Sequence, residues 1–291
     1  MSGSFVLIAS YPRSGNTWAR IVFEKLRRGS NLSINALDGN LYGAERRLMF
    51  DTFSPVNAAD LLPEEVEEFL PHVYRQFAEA ISDTIFVKVH ECARIKGGAG
   101  LLYPPEYVKS VLYFVRHPFD VAVSVAHHYA LSLAAAVDLM ADARAMPLAF
   151  TWLPEALPQY FGSWNDNVTS WIDCKSHQVT LARYEDLHRD PVAQFSRLAI
   201  AAGLAAPERQ VAEAVEASRF ERLKSEEEEH GFRERPSASP SFFRSGRARS
   251  WEGVLGSDLR ERLVRQHEEV MERLGYTAEG GVVDLAVRRQ S

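Results

Sequence analysis

The chain has 291 residues, 46% of them apolar and 25% charged, with a formal net charge of −6. That balance describes a soluble globular protein able to bury a sizeable core, and its acidity excludes a surface-wide footprint for DNA or RNA. A polyanionic ligand would need a local basic pocket. Two widely separated cysteines, Cys92 and Cys174, show no zinc-type spacing and fit a reducing, cytoplasmic compartment. The residues before Phe5 lack a basic leader, so no signal peptide is expected. The most apolar stretch, Val121 to Met140, is broken by His127, His128 and Asp138, so no membrane span is expected.

In chain order, Phe5 to Ala9 reads as a buried strand, bounded by Ser10-Tyr11-Pro12. A glycine-containing turn leads to Thr17–Arg28, whose apolar residues Trp18, Ile21, Val22 and Leu26 keep a helical period. Leu62 to Ala80 predicts a helix opening on Pro63-Glu64-Glu65, followed by a strand at Thr84–Val89 and another at Val111–Val115. A helix is expected from Pro118 to about Tyr129, an aromatic amphipathic helix over Phe161–Asp173, and a strand at Val179–Ala182. Helices at Val192–Ala202, Glu208–Ala217 and Asp258–Leu274 complete the pattern. Strands alternating with helices predict an α/β fold, one domain over residues 1–291, with a central, mainly parallel sheet covered on both faces and a P-loop-like phosphate-binding turn. Residues 141–158 and 225–249 read as mobile segments, either solvated loops or covers over a site.

The turn Arg13-Ser14-Gly15-Asn16-Thr17 lies between a strand and a helix. Its glycine permits close backbone approach to an anion, the helix start supplies N–H groups, Ser14 and Thr17 add hydroxyls, and Arg13 adds a fixed charge. It lacks the glycine and lysine spacing of a Walker A loop, which argues against a triphosphate–magnesium site. A capped helix that binds nothing is the bland alternative. The octapeptide Tyr11-Pro12-Arg13-Ser14-Gly15-Asn16-Thr17-Trp18 resembles the 5′-phosphosulfate loop of the cytosolic sulfotransferases, Tyr-Pro-Lys-Ser-Gly-Thr-Thr-Trp. The resemblance implies that Arg13 to Thr17 hold the 5′-phosphate of 3′-phosphoadenosine 5′-phosphosulfate (PAPS) and that Trp18 stacks on adenine. Arg13 replaces the family lysine that touches the bridging and sulfate oxygens. A planar guanidinium is not equivalent to an ammonium there.

A second anion group is expected beyond the Val111–Val115 strand, where ligands of open parallel sheets sit. Arg116 stands at that strand's end, and Ser124 lies on the following helix. Taken alone, Arg116 could equally pair with Asp120 as a structural salt bridge. The run Val115 to Ser124 resembles the family's 3′-phosphate motif, in which an arginine and a serine eight residues apart bind that phosphate, and so implies this role for Arg116 and Ser124. Further resemblances follow in family order. Gly162-Ser163-Trp164 matches the Gly-Ser-Trp helix, Arg183-Tyr184-Glu185-Asp186-Leu187 the Tyr-Glu-Asp-Leu turn, and Ser218 to Lys224 the Ser-Phe segment. They imply adenine contacts for Tyr184 and Phe220. Phe242-Phe243-Arg244-Ser245-Gly246-Arg247, followed by Trp251, resembles the late Arg-Lys-Gly motif, implying nucleotide contacts for Phe243, Arg244, Ser245 and Gly246. Ser245 replaces a lysine whose charge Arg247 or Arg249 could restore.

Lys88 and His90 end a strand and alternate onto one face. Histidine titrates near working pH and suits a general base, although a lone strand-end histidine is more often structural. The run Phe86-Val87-Lys88-Val89-His90 resembles the family's Lys-Thr-His, which implies that His90 is the catalytic base and that Lys88, with Arg13, stabilises the sulfuryl group. The implied reaction is in-line transfer from PAPS to a hydroxyl or amine of a small acceptor, releasing adenosine 3′,5′-bisphosphate (PAP), without a metal. Apolar and aromatic residues of Leu41–Phe53, Tyr129–Phe161 and Phe242-Phe243 suggest a lipophilic or aromatic acceptor. A nucleic-acid or membrane partner is not expected, and the family's C-terminal dimer motif is not visible, which leaves the oligomeric state open. Two other readings stand: a nucleotide-binding module of the same ancestry without turnover, and a P-loop-type kinase.

Overall fold

Four short apolar runs become four parallel strands: β1 (Ser4–Ser10), β2 (Thr84–Val89), β3 (Val108–Val115) and β4 (Val179–Arg183). The computed structural model describes residues 2–37, 44–96, 100–145, 157, 159–235 and 239–284. The strands hydrogen-bond in the order β2-β1-β3-β4, all parallel. Strand order reverses at β1, so the crevice beyond the carboxyl ends of β1 and β3 is the place this topology offers a ligand.

The helices are α1 (Asn16–Arg28), α2 (Ala44–Phe53), α3 (Pro63–Ala80), α4 (Pro118–His128), α5 (Leu133–Ala141), α6 (Trp164–Ile172), α7 (Tyr184–Arg189), α8 (Pro191–Ala201), α9 (Glu208–Glu216), α10 (Phe220–His230) and α11 (Ser257–Arg273). Alternation along β1 assigns them to faces. Phe5, Leu7 and Ala9 join a core with Leu70 and Val73 of α3 and with Trp164 and Trp171 of α6. Val6 and Ile8 point the other way, into a core with Val22 and Phe23 of α1, Phe195 and Leu198 of α8, and Val211 of α9. Each buried Val, Leu, Ile or Phe among them stabilises the fold by about 1.5–3 kcal/mol relative to exposure. A one-residue slip of β1 would exchange the two sets, which fixes the register. The doubly covered parallel sheet therefore agrees with the sequence expectation.

The differences have local causes. β3 starts at Val108, three residues before the apolar run suggested, because exposed Lys109 interrupts the pattern without interrupting the strand. α5 is hidden inside an apolar stretch. Its start is marked by Ser132, whose hydroxyl accepts from the Ala135 N–H. The stretch 225–249 is not loop throughout. Its first six residues continue α10, whose acidic run turns Glu227 inward, where its carboxylate accepts two backbone N–H bonds. Of the stretch 141–158, residues 146–156 and 158 lie outside the described residues. Among the described residues no single helix is long and apolar enough to cross a membrane; α4 and α5 reach that length only as a pair bent by 116°.

Candidate active site

The turn between β1 and α1 holds two residues in the left-handed region, Arg13 at φ 70° and Gly15 at φ 102°. A non-glycine residue there costs roughly 1–2 kcal/mol, and such strain concentrates where a ligand is clamped. A Cβ at Gly15 would lie 2.7 Å from Cδ2 of Tyr184, so the close approach requires glycine. The Asn16 side-chain amide donates to the Ile8 carbonyl at 2.7 Å and lies 3.3 Å from the Ser10 hydroxyl, tying the helix start to the strand end. No side chain caps the N-terminus of α1, and the buried Ser14 hydroxyl has no hydrogen-bond partner. Uncapped amides, an orphaned hydroxyl and a neighbouring guanidinium form a cradle suited to a phosphate-type anion.

The end of β3 meets this turn. Nη1 of Arg116 lies 3.5 Å from the Arg13 carbonyl, and Nη2 donates to the Arg247 carbonyl at 2.8 Å. The guanidinium lies over the Tyr184 ring, 4.2 Å from its centroid, and 3.6 Å from the Asp120 carboxylate. The salt bridge weighed from sequence is therefore present, while Nε of Arg116 is buried with no partner. Nε of Arg13 donates to the Ser124 hydroxyl at 3.0 Å, and Nη1 lies 3.2 Å from Nδ1 of His128. Turn and α4 thus close on one another, and both anion groups face a single cleft.

Lys88 and His90 enter that cleft from β2. Nδ1 of His90 lies 2.9 Å from the Ser10 carbonyl oxygen. A carbonyl only accepts, so Nδ1 carries the hydrogen and Nε2 keeps the lone pair, the tautomer a base needs. Burial, then the neighbouring Lys88 charge, push the imidazole down to about 3, so it is neutral. Burial also lowers Lys88 to about 8, opposed by Glu234, whose carboxylate accepts from Nζ at 3.0 Å. Burial pulls the Arg13 guanidinium down to about 10, still charged at neutral pH.

An aromatic wall completes the cleft. The Trp18 indole N–H donates to the Ser218 carbonyl at 3.0 Å, and its ring stands 5.2 Å from that of His188 and 6.1 Å from that of Tyr184. Gly246, at φ 57°, lies against Phe220; a Cβ there would be 2.0 Å from the ring. The Asp120 carboxylate fixes the end of this wall, accepting from the Arg249 and Trp251 backbone N–H groups and the Ser250 hydroxyl.

Residues 102–275 match the family model for the sulfotransferase domain. The chain belongs to the sulfotransferase family. It is 24% identical over 230 residues to sulfotransferase 1A1 of Bos taurus, an alignment covering 75% of this chain and 65% of that one. The chain thus spans just under two thirds of that relative's length. In fold it resembles a mouse sulfotransferase, SULT7A1, solved with PAP, at TM-score 0.57 and 19% identity, covering 93% of this chain and 84% of that one. It also resembles a retinol dehydratase solved with retinol and PAP, at TM-score 0.61 and 20% identity, covering 94% and 82%.

Within this sulfotransferase fold, the cleft is lined by Arg13, Gly15, Asn16, Thr17, Trp18, Lys88, His90, Arg116, Ser124, Tyr184, Phe220, Phe243, Arg244, Ser245 and Gly246. Of the catalytic and nucleotide-binding residues expected from sequence only Ser14 is absent from the lining, buried in the turn. Neither guanidinium offered as a substitute for the missing late lysine takes part: Arg249 pairs with Glu252, and Arg247 meets Arg116 only through its carbonyl. No described residue of the Leu41–Phe53 region lines the cleft, because Met49 and Phe50 are buried in the core. Sequence reading missed Glu234 and His188; both line the cleft, as does His128 of α4. His188 was accessible in principle, one helical turn beyond Tyr184 on α7. Glu234 follows an acidic run and carries no local signal.

Proposed function

We propose that this chain transfers a sulfuryl group from PAPS to a hydroxyl or amine of a small lipophilic or aromatic acceptor, in the cytoplasm. The observation that carries the proposal is the convergence, in one cleft, of two cationic anion-binding groups with a neutral imidazole whose Nε2 holds the lone pair. The cradle fits a doubly phosphorylated nucleotide chemically. Ser14, the uncapped amides of α1 and Arg13 would hold the 5′ end, and Arg116 with Ser124 the 3′-phosphate. Trp18, Tyr184 and Phe220 would flank the adenine, beside the 243–246 segment.

In this mechanism Nε2 of His90 accepts the acceptor's proton as its oxygen or nitrogen attacks sulfur. Lys88 and Arg13 offset charge on the sulfuryl oxygens and on the bridging oxygen that leaves with PAP. Preorganised cations in a site shielded from water supply most of the rate, as in phosphoryl transfer. The low basicity of His90 belongs to the anion-free cleft; a bound polyanion neutralises the surrounding cations and raises it. Phe161, Tyr129 and Phe242 give the acceptor side its apolar character. Androsterone and retinol, recorded in retinol dehydratase structures, are acceptor-sized molecules of this class.

The test has two arms. Calorimetry compares PAP, PAPS and ATP; preference for PAP is expected, and ATP-specific binding would support a kinase instead. Mass-detected transfer from PAPS across phenols, alcohols and amines then identifies an acceptor. With that acceptor His90→Ala should lose about a hundredfold or more in turnover while still binding PAP. Near-normal turnover in that variant removes the base assignment. PAP binding without transfer to any acceptor indicates a binding module.

A further inference from the structure

Among the described residues lining the cleft, Glu234 supplies the carboxylate. It lies four residues past the end of α10, in sequence far from both partners it holds. Its Oε2 accepts from Lys88 Nζ at 3.0 Å. The same carboxylate accepts from both ends of the Arg20 guanidinium, at 2.7 Å from Nη2 and 3.0 Å from Nη1. Arg20 is buried on α1, one turn in from Asn16, and is not part of the cleft lining. One carboxylate thus joins α1, β2 and the segment after α10.

This arrangement answers a problem that the cleft creates for itself. A site built to hold a polyanion gathers cations, and those cations, together with burial, favour loss of a proton from any lysine among them. A neutral amine gives no electrostatic help to a transferring group. The bidentate grip of Arg20 fixes the carboxylate, and the carboxylate in turn fixes the direction of Nζ, which would otherwise turn freely on a four-carbon stem. We infer that Glu234 is a positioning residue for the reactive lysine: anchored by Arg20, it keeps the Lys88 ammonium charged and aimed into the cleft. The inference rests on the reading of Lys88 as the group that stabilises the sulfuryl oxygens.

Among the described residues, the charged and titratable groups facing Lys88 include Glu234 after α10, Arg20 on α1, Arg13 in the turn, His90 just past β2 and His128 on α4. Of these only Glu234 favours the charged amine. Burial and the arginines lower Lys88, and Glu234 holds it at about 8. For Glu234 itself burial would raise the carboxyl, but Lys88 and Arg20 override that and keep it ionised, well below the usual carboxylate range. Removing Glu234 therefore lowers Lys88 further and shifts it toward the neutral amine.

Trace labelling with acetic anhydride from pH 5 to 10, quantified by peptide mass spectrometry, reads the free-amine fraction of Lys88 against exposed Lys175. In Glu234→Gln, labelling of Lys88 at pH 7 should rise about fivefold, because an opposite charge in direct contact shifts a buried group by at least about one unit, which takes the free amine from roughly a tenth to about half. Gln leaves the buried Arg20 guanidinium short of its partner, which endangers folding. The Arg20→Met, Glu234→Gln double variant removes that charge as well, and the same direction of change is expected, at about threefold. PAP calorimetry on each protein separates the two claims. Glu234 is not assigned a nucleotide contact, so both variants should bind PAP within about threefold of wild type. Wild-type protein that fails to bind PAP would sink the nucleotide reading, whatever Lys88 does. Lys88 labelling that is unchanged in folded variants overturns the role of Glu234.

Discussion

The turn after β1 and the segment after α10 wall the same cleft, yet they are held in place by different physics. The turn is shaped by its own backbone. Two left-handed residues, a glycine pressed against Tyr184 and an Asn16 amide bridging back to β1 fix it within a few residues of sequence. The far segment has left-handed residues of its own, Gly246 at φ 57° and Arg249 at φ 61°, but its anchors are spread along it. It is held by carboxylates: Glu227 of α10 accepts from the Phe242 and Phe243 N–H groups, Asp120 of α4 accepts from residues 249–251, and the segment's own Glu234 reaches out to Lys88 and Arg20. A locally built wall resists change but fails at a single atom. A wall held by side chains can be loosened one anchor at a time.

Gly15→Ala strikes the first wall and should have the largest effect. The substitution asks an L-residue to sit at φ 102° with a Cβ 2.7 Å from the Tyr184 ring. The strain and the displaced amides together should cost about 3 kcal/mol of anion binding, or roughly a hundredfold in PAP affinity by calorimetry. Affinity within tenfold of wild type would show that the turn adjusts, and that the contrast between the two walls is false.

Glu227→Ala strikes the second. Its buried carboxylate accepts from the N–H groups of Phe242 at 2.7 Å and Phe243 at 2.9 Å, and alanine leaves both without an acceptor. Unmade buried hydrogen bonds cost about 1–3 kcal/mol, but this segment can relax toward water, so PAP affinity should fall only about tenfold. Trypsin should meanwhile cut at Arg244 to Arg249 several times faster than in wild type. Unchanged protease resistance would mean that Asp120 alone suffices to hold the segment.

The same division explains what the sequence disclosed. Tyr11 to Trp18 encodes its own shape, so its cradle, its position between β1 and α1 and its resemblance to a known loop were legible together. Periodicity placed Arg116 at one strand end and Lys88 with His90 at another, and the resemblance to the family motifs supplied Ser124 and the expected roles. Glu234 was not, since its role depends on Arg20 and Lys88, more than a hundred residues distant, and nothing in Phe232-Arg233-Glu234 marks it. α10 was obscured for a related reason. Its run Glu226 to Glu229 reads as a solvated acidic loop until Glu227 is seen turned inward on backbone amides. Long-range carboxylate anchors leave no local period, and local period was what the sequence offered.

Arg13 joins the two walls, so its replacement measures how tightly they are coupled. It belongs to the turn by its backbone, reaches α4 through Ser124 and His128, and lies 4.7 Å from the ring centroid of Phe242 in the far segment. Arg13→Lys keeps the charge but loses the planar fork and the face-on contact with that ring, worth about 0.5–1 kcal/mol. PAP affinity should therefore weaken only about two- to fivefold, the smallest effect predicted. The sharper measurement is the cycle with Glu227→Ala. Once Phe242 has been released, there is little ring contact left for Arg13 to lose, so the lysine substitution should cost measurably less in that background than in wild type, with a coupling of about 0.5 kcal/mol. Strict additivity would show that Arg13 acts within the turn alone, and that the two walls meet the nucleotide independently.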